Sequence, residues 1–279
     1  MGKIVRSLKG RPIGSILKGG EPKLTIRVIG RCNFHCPACS TFSSPGRKGI
    51  LSVDDFHKIV DILRQVNFRG VLNISGGEPT LHPHLRPLMR WASEQLTAAK
   101  IILFTNGDWV RRKGWRNRLV ELMESSNVLV RFSLDRQHAQ GKAIASGINP
   151  HGRELSRIEA QRLAKARDFI RACREDGRHP GLDFDFAYKG SVQEARSYMS
   201  ILGDVPVYPI EFQENPGIRP KQMGYLAVDI DDNGHPWVYM TLGHLSRNEP
   251  LGGIPALPEA IEENRKALRF PALNKGSLH

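Results

Sequence analysis

The chain has 279 residues, 40% of them hydrophobic, which is enough to bury a substantial core and argues against a disordered protein. Its 41 basic and 28 acidic residues give a net charge of +13, which fits an anionic partner and a solvated basic surface equally well. No stretch approaches the roughly 20 apolar residues of a membrane span, and the N-terminus lacks the apolar core of a signal peptide. We therefore expect a cytoplasmic protein that does not bind membranes.

Short apolar or β-branched runs alternate with segments of helical periodicity along the chain. Strands are predicted at residues 24–29, 71–75, 100–105, 128–134, 182–188 and 205–212. Helices are predicted between them at residues 53–66, 85–96, 109–123, 154–173 and 192–202, the first with Ser52 as its N-cap. Six βα repeats predict an α/β fold in which a parallel sheet carries helices on its outer face. In such folds the chemistry lies at the carboxyl ends of the strands.

Three of the four cysteines, Cys32, Cys36 and Cys39, fall within eight residues directly after the first predicted strand. This clustering favours metal ligation over a disulfide framework. The spacing lets three thiolates converge on one iron–sulfur cluster, and a [4Fe–4S] cluster held by three cysteines keeps one iron open to another ligand. A zinc site needs a fourth protein ligand, such as one from a second Cys-x-x-Cys pair, and the sequence has no such pair.

This Cys-x-x-x-Cys-x-x-Cys loop resembles the signature of the radical S-adenosylmethionine (SAM) superfamily. Ser75-Gly-Gly-Glu-Pro79 after the second strand and Thr105-Asn-Gly107 after the third follow in the order of that family. The resemblance implies a partial (β/α)6 TIM-like barrel over residues 20–215, preceded by a basic segment at residues 1–19. A small C-terminal extension at residues 216–279, with a hairpin near residues 231–237, lacks the cysteines that hold auxiliary clusters in many relatives.

The resemblance also implies two cofactors, a [4Fe–4S] cluster on the three cysteines and SAM on the open iron. The positions that match the family's SAM-binding segments are Ala38, Gly76, Gly77, Glu78, Pro79, Asn106, Ser133 and Asp135. Ala38 departs from the family, where the residue before the last cysteine is usually aromatic and packs on adenine. Asp135 could equally face the substrate, because it alternates with Leu134 on the same face of a strand as Ser133.

In the family, SAM is cleaved reductively to a 5′-deoxyadenosyl radical, which abstracts hydrogen from a substrate C–H bond. The electron donor would be a flavodoxin or a ferredoxin. Residues 105–109 and 133–138 look like a subgroup that includes peptide epimerases, so the substrate is expected to be a peptide or a small metabolite, and the enzyme an oxidoreductase or an isomerase. Two alternatives stay open, an RNA-modifying radical enzyme that uses the basic surface and a non-catalytic iron–sulfur sensor.

Substrate-side residues are less well marked. His138, shortly after the fourth strand, could contact substrate, accept a proton or hydrogen-bond its own loop. Tyr188, at the end of the fifth strand, is expected to line the pocket. Epimerisation needs a thiol hydrogen donor, and Cys173 is the only unassigned cysteine. It continues an apolar helical stripe formed with Phe169 and Ile170, so we expect it to be a packing residue.

Overall fold

The computed structural model describes residues 23–37, 39, 41–108, 114–123, 127–175, 177, 181–185, 207–210, 225–241 and 249–262. The expected helix at residues 192–202, Ala38 and Tyr188 lie outside the described residues. Residues 20 and 215, the two boundaries of the predicted barrel domain, also lie outside the described residues, so these boundaries stay predictions.

Nine strands of the described chain form one sheet in the order β6-β5-β4-β3-β2-β1-β7-β8-β9. Strands β1 to β6 are parallel neighbours, and β7 runs parallel to the other edge of β1. The sheet is open, as the predicted partial barrel requires. The strand bounds are Lys23–Ile29, Val71–Gly76, Lys100–Thr105, Val128–Ser133, Gly181–Asp185, Val207–Ile210, Tyr225–Ile230, Pro236–Thr241 and Glu249–Gly252 for β1 to β9.

Five helices in the described residues connect these strands. They are α1 (Val53–Gln65), α2 (Leu85–Gln95), α3 (Trp115–Leu122), α4 (Arg136–Ala145) and α5 (Gly152–Glu175). The predicted N-cap of α1 is confirmed, because the Ser52 hydroxyl accepts a hydrogen bond of 3.0 Å from the Asp55 backbone N–H. Helix α4 was not predicted. It is only weakly amphipathic and consists largely of alanine, glycine and polar residues, so it carries no apolar stripe.

The two faces of the sheet differ in character. In β1, Leu24, Ile26 and Val28 are fully buried in the core, whereas Thr25 and Arg27 are only partly buried. A parallel strand that is covered on both faces reads as a continuous apolar run, so this alternation indicates helices on one face only. The other face carries polar pairs, including a contact of 2.8 Å between Arg27 Nη1 and Asp229 Oδ1.

The C-terminal extension continues the sheet beyond β1. The predicted hairpin is confirmed, because β7 and β8 pair in antiparallel fashion around a turn at residues 231–235. Asp231 Oδ1 accepts hydrogen bonds of 2.8 Å from Asn233 N–H and 2.9 Å from His235 N–H. Gly234 has φ +87°, a backbone conformation that favours glycine. The ion pair from β7 to Arg27 thus adds a side-chain contact to the backbone pairing between the extension and the barrel strands.

Candidate cofactor site

The end of β1 and the cysteine loop, whose described residues are 30–37, 39 and 41–44, are hydrogen-bonded to the glycine turn formed by Gly76 and Gly77 at the end of β2. Gly77 N–H donates to Ile29 O at 2.6 Å, Glu78 N–H donates to Arg31 O at 3.0 Å, and Thr41 Oγ1 donates to Gly76 O at 3.2 Å. A Cβ atom at Gly77 would collide with the Arg31 carbonyl. Glycine is therefore needed here for the close approach of the two backbones.

The loop also surrounds two of the cysteine sulfurs with donors. Cys32 Sγ accepts from Phe34 N–H at 3.3 Å, and Cys39 Sγ accepts from Ser43 N–H at 3.4 Å. The Thr41 hydroxyl lies 3.2 Å from Cys39 Sγ. Hydrogen bonds to cluster sulfurs are one of the ways in which proteins tune iron–sulfur sites, so these surroundings fit a cluster ligand set.

The surroundings of the Cys32 and Cys36 side chains disfavour the negatively charged thiolate form. Burial, followed by the negative charge of Glu78, raises the pKa of Cys32 to about 12. Burial, followed by Cys39 and Asp135, raises the pKa of Cys36 to about 12, against the lowering effect of Arg162. Thiols of this kind become thiolates when they coordinate a metal centre, because the metal charge reverses the local electrostatics.

The placement of the possible ligand side chains can be compared with what a single metal ion and an iron–sulfur cluster each require. Among the residues that the structure describes, no three His, Cys, Asp or Glu side chains are placed to hold one ion. A four-iron cluster differs, because each cysteine binds a different iron and the sulfurs stand further apart than the ligands of one ion. The donor chemistry of the loop therefore fits the cluster that its spacing predicts.

Glu78 joins the ends of β2 and β3. Its Oε1 atom accepts from Thr80 N–H at 3.1 Å, Thr80 Oγ1 at 2.6 Å and Thr105 Oγ1 at 2.7 Å, and its Oε2 atom accepts from Asn106 N–H at 2.7 Å. The residue is only 1% exposed. Burial raises the pKa of Glu78, and these hydrogen bonds oppose the shift. The carboxylate is thus engaged by the chain's own donors, and its expected contact with SAM stays a prediction.

Asn106 joins the end of β3 to the cysteine loop. Its Nδ2 atom donates to Asn33 Oδ1 at 2.8 Å and lies 3.8 Å from Cys32 Sγ. Its Oδ1 atom accepts from Asp108 N–H at 3.0 Å. The Asp108 carboxylate in turn accepts from Asn33 Nδ2 at 3.2 Å and contacts Lys142 Nζ on α4. The turn after β3, the cysteine loop and α4 therefore meet within one hydrogen-bonded group.

Ser133 and Asp135 do not both belong to β4, although the predicted alternation treated them as neighbours along one strand. Strand β4 ends at Ser133, and Asp135 is the N-cap of α4, where its Oδ1 accepts from His138 N–H at 3.0 Å. Asp135 has φ −56° and ψ 164°, so its backbone is still extended before α4 begins, and a face shared with Ser133 stays a prediction. A direct contact between Asp135 and SAM or substrate stays a prediction.

His138 packs against this cap. Its Nδ1 atom lies 2.8 Å from both carboxylate oxygens of Asp135. Burial alone would raise the pKa of Asp135, but the interactions with His138, and then Arg162, lower it to about 2. Of the readings left open for His138, the structure shows the hydrogen bond within its own loop, and a contact with substrate stays a prediction.

Sequence reasoning missed Arg162, which is buried on α5. Its guanidinium donates to backbone carbonyls at the ends of β3 and β4. A signal was present, because the arginine interrupts the apolar stripe four residues after Ile158 and four before Ala166. Cys173 on the same helix is fully buried in the hydrophobic core, which confirms the packing interpretation.

The sequence model of the radical SAM superfamily matches residues 26–187, which is more than half of the chain. The chain therefore belongs to the radical SAM superfamily. Members of this family bind a [4Fe–4S] cluster and SAM. The matched segment includes the cysteine loop, the glycine turn and the ends of β3 and β4.

Individual relatives are more distant. The chain is 29% identical over 120 residues to the antilisterial bacteriocin subtilosin biosynthesis protein AlbA of Bacillus subtilis (strain 168). It is 30% identical over 110 residues to a GTP 3′,8-cyclase of Chlorobaculum tepidum. These matches cover 42% and 39% of this chain but only 25% and 32% of the two relatives.

The fold is shared with solved enzymes of the family. Native anSMEcpe with bound AdoMet and Cp18Cys peptide superposes with a TM-score of 0.52 at 16% identity, over 93% of this chain and 84% of that chain. This similarity supports the partial TIM-like barrel and nothing finer. None of the helices in the described ranges has the length and apolar character needed to cross a bilayer.

Proposed function

We propose that Cys32, Cys36 and Cys39 hold a [4Fe–4S] cluster with an open iron that binds SAM. When bound, the cluster supplies the electron for reductive cleavage of SAM to methionine and a 5′-deoxyadenosyl radical, which removes hydrogen from a substrate C–H bond. The observation that carries this proposal is the direct bonding of the cysteine loop to both the glycine turn and Asn106. Three sequence-distant motifs of one cofactor site are thereby held together.

The protein's own contribution is positioning. Glu78 and Asn106 fix the ends of β2 and β3 relative to the cysteine loop, so that the backbone of Gly76 and Gly77 can approach the amino group of SAM. Ser133 is placed at the end of β4 to contribute a polar contact. Reactive radicals require water to be kept out, and the burial of Glu78 and Asn106 serves that need.

For the substrate we propose a peptide or a small polar metabolite. The sheet face opposite the helices is polar, with the pair Arg27 and Asp229 and a bond of 3.2 Å from Asn73 Nδ2 to Thr25 Oγ1. The named relatives point in both directions, because one acts in the biosynthesis of a bacteriocin and the other is a cyclase of GTP. His138 and Tyr188 stay the proposed substrate contacts.

The remaining assignments are also proposals. We place the enzyme in the cytoplasm, with flavodoxin or ferredoxin as electron donor, and leave oxidoreductase or isomerase as its reaction class. A nucleic-acid substrate is the second candidate, supported by the net charge of +13. It predicts copurifying RNA and binding that weakens steeply with salt.

The test begins with anaerobic reconstitution. We expect about four irons and four sulfides per chain, and 5′-deoxyadenosine from SAM with dithionite as reductant. The triple variant Cys32→Ala, Cys36→Ala, Cys39→Ala should lose both, whereas Cys173→Ala should keep both, because that thiol lies in the core.

Each outcome has a distinct meaning. A cluster without SAM cleavage, even with candidate peptides and metabolites present, would favour the iron–sulfur sensor. Absence of a cluster in the parent chain would refute the proposal. If cleavage is observed, deuterium transfer from labelled substrates into 5′-deoxyadenosine would identify the substrate class.

A further inference from the structure

Arg162 lies in the middle of α5 and is only 4% exposed. Its Nη2 atom donates to Asn106 O at 3.0 Å and to Ser133 O at 2.5 Å, and its Nη1 atom donates to Asp135 O at 3.3 Å. These three carbonyls belong to residues expected to bind SAM, at the end of β3 and after β4. One side chain therefore contacts the backbone of all three.

The same guanidinium also contacts the cysteine loop. Its Cζ atom lies 5.3 Å from the centre of the Phe34 ring, within the range of a cation–π interaction. Phe34 is itself buried and lies between Cys32 and Cys36 in the chain. The positive charge therefore lies beside the loop that carries the three cysteines.

A buried arginine needs a physical reason. Removing a guanidinium from water is costly, and an apolar residue at this position would continue the stripe of α5 without that cost. The planar fork of arginine presents several N–H donors in fixed directions, which a lysine ammonium or an apolar side chain cannot reproduce. The geometry thus favours a role that needs both the fork and the charge.

We propose that Arg162 is a positioning residue of the cofactor site, which fixes the ends of β3 and β4 against the cysteine loop and whose charge makes the cluster easier to reduce. This inference rests on the proposed function. Reduction here means uptake of one electron from dithionite by the bound cluster. A nearby positive charge favours the more negative, reduced form.

Two substitutions separate the effect of the planar, forked hydrogen-bonding geometry of the Arg162 guanidinium from the effect of its positive charge. Arg162→Met removes both and keeps a long buried side chain, whereas Arg162→Lys keeps the charge and removes the fork. Arg171→Met is the matched control on the same helix, because the Arg171 side chain is 71% exposed and pairs with Asp168, which is itself on the surface. Each protein is reconstituted anaerobically. Its cluster midpoint potential is measured by a spectroscopic redox titration without SAM, and its SAM affinity by equilibrium binding.

We expect both Arg162 variants to bind SAM at least tenfold more weakly than the parent. The midpoint potential should become more negative in Arg162→Met and stay near the parent value in Arg162→Lys, and Arg171→Met should change neither quantity. Parent-like SAM affinity in both variants, or equal midpoint potentials in Met and Lys variants, would overturn the inference. A purely structural role would lower the melting temperature without separating the two potentials. Failure of the proposed function looks different, because the parent itself would then lack a cluster or SAM cleavage.

Discussion

Gly141 on the unpredicted helix α4 lies directly against the cysteine loop. Its carbonyl accepts from His35 N–H at 2.9 Å. A Cβ atom at Gly141 would lie 2.8 Å from both the Cα and the N of Cys36 and would also collide with its Sγ. We therefore predict that Gly141→Ala displaces the second cluster cysteine.

Two opposing energies decide the size of the effect. Alanine is favoured over glycine in a helix interior by about 1 kcal/mol, whereas overpacking a well-packed site costs about 1–3 kcal/mol. The free energy of unfolding should therefore fall by no more than about 2 kcal/mol. Relief of the collision requires a shift of about 1 Å, because carbon atoms prefer separations of about 3.5–4 Å. The main loss is thus local, at the Cys36 ligand.

The assay compares iron content with global stability. After anaerobic reconstitution, Gly141→Ala should bind well under half of the parent's iron, while its denaturant midpoint changes little. The matched control is Gly46→Ala in the adjoining segment, where the one contact of an added Cβ among the described residues would be Ser44 Oγ at 4.0 Å, an ordinary van der Waals distance. Full iron content in Gly141→Ala would refute the reasoning, as would equal losses in the two variants.

Three further substitutions test the polar contacts around the site. Glu78→Gln turns one acceptor oxygen into a donor, so at least one buried partner loses its hydrogen bond. We expect the free energy of unfolding in urea to fall by about 1–3 kcal/mol and SAM to bind more weakly. Parent-like values of both quantities would contradict this. Because the folded pKa of Asp135 is about 2, below its usual 3.8, its contribution of about 2 kcal/mol is present above pH 4 and is lost as the pH falls from 4 to 2. Asp135→Asn should therefore remove that part of the pH dependence of unfolding, and an unchanged slope would show that another group produces it. Asp229→Asn should lower the free energy of unfolding more than the double variant Arg27→Met, Asp229→Leu does. The reason is that the single change leaves the partly buried Arg27 cation without its carboxylate partner. A larger loss of stability in the double variant would contradict this.

The sequence was sufficient to predict the parallel strands and the placement of the cofactor motifs. The core residues of β1 and β2 are branched apolar side chains, which mark both segments as strands. The cysteines and glycines of the cofactor motifs lie at or directly after the ends of these strands, so predicting the strand ends also located the motifs. The N-cap at Ser52 and the hairpin at residues 231–235 were predictable for a similar reason, since each depends on contacts between near neighbours in the chain.

Helix α4 and its contacts could not be predicted in this way. Its buried positions are Gln137, Ala139, Gly141 and Ala143, none of which gives an apolar stripe. The helix is buried because its backbone at Gly141 closely approaches Cys36. The hydrophobic periodicity of a sequence does not reveal a contact of this kind. Because Asp135 caps this helix, its capping role could not be predicted without the helix.

The candidate site is held mainly by buried polar groups, each of which bonds one strand end to another strand end or to the cysteine loop. Glu78 joins β2 to β3, Asn106 joins β3 to the cysteine loop, and Arg162 joins β3 and β4 to Phe34. Such a network is stable only when its members are all satisfied, because a buried polar group left without a partner costs about 1–3 kcal/mol. The hydrophobic core beneath the network is formed by apolar side chains. Loss of one member should therefore loosen the strand ends and the cysteine loop before it unfolds the sheet, and cofactor binding should fail before global stability does.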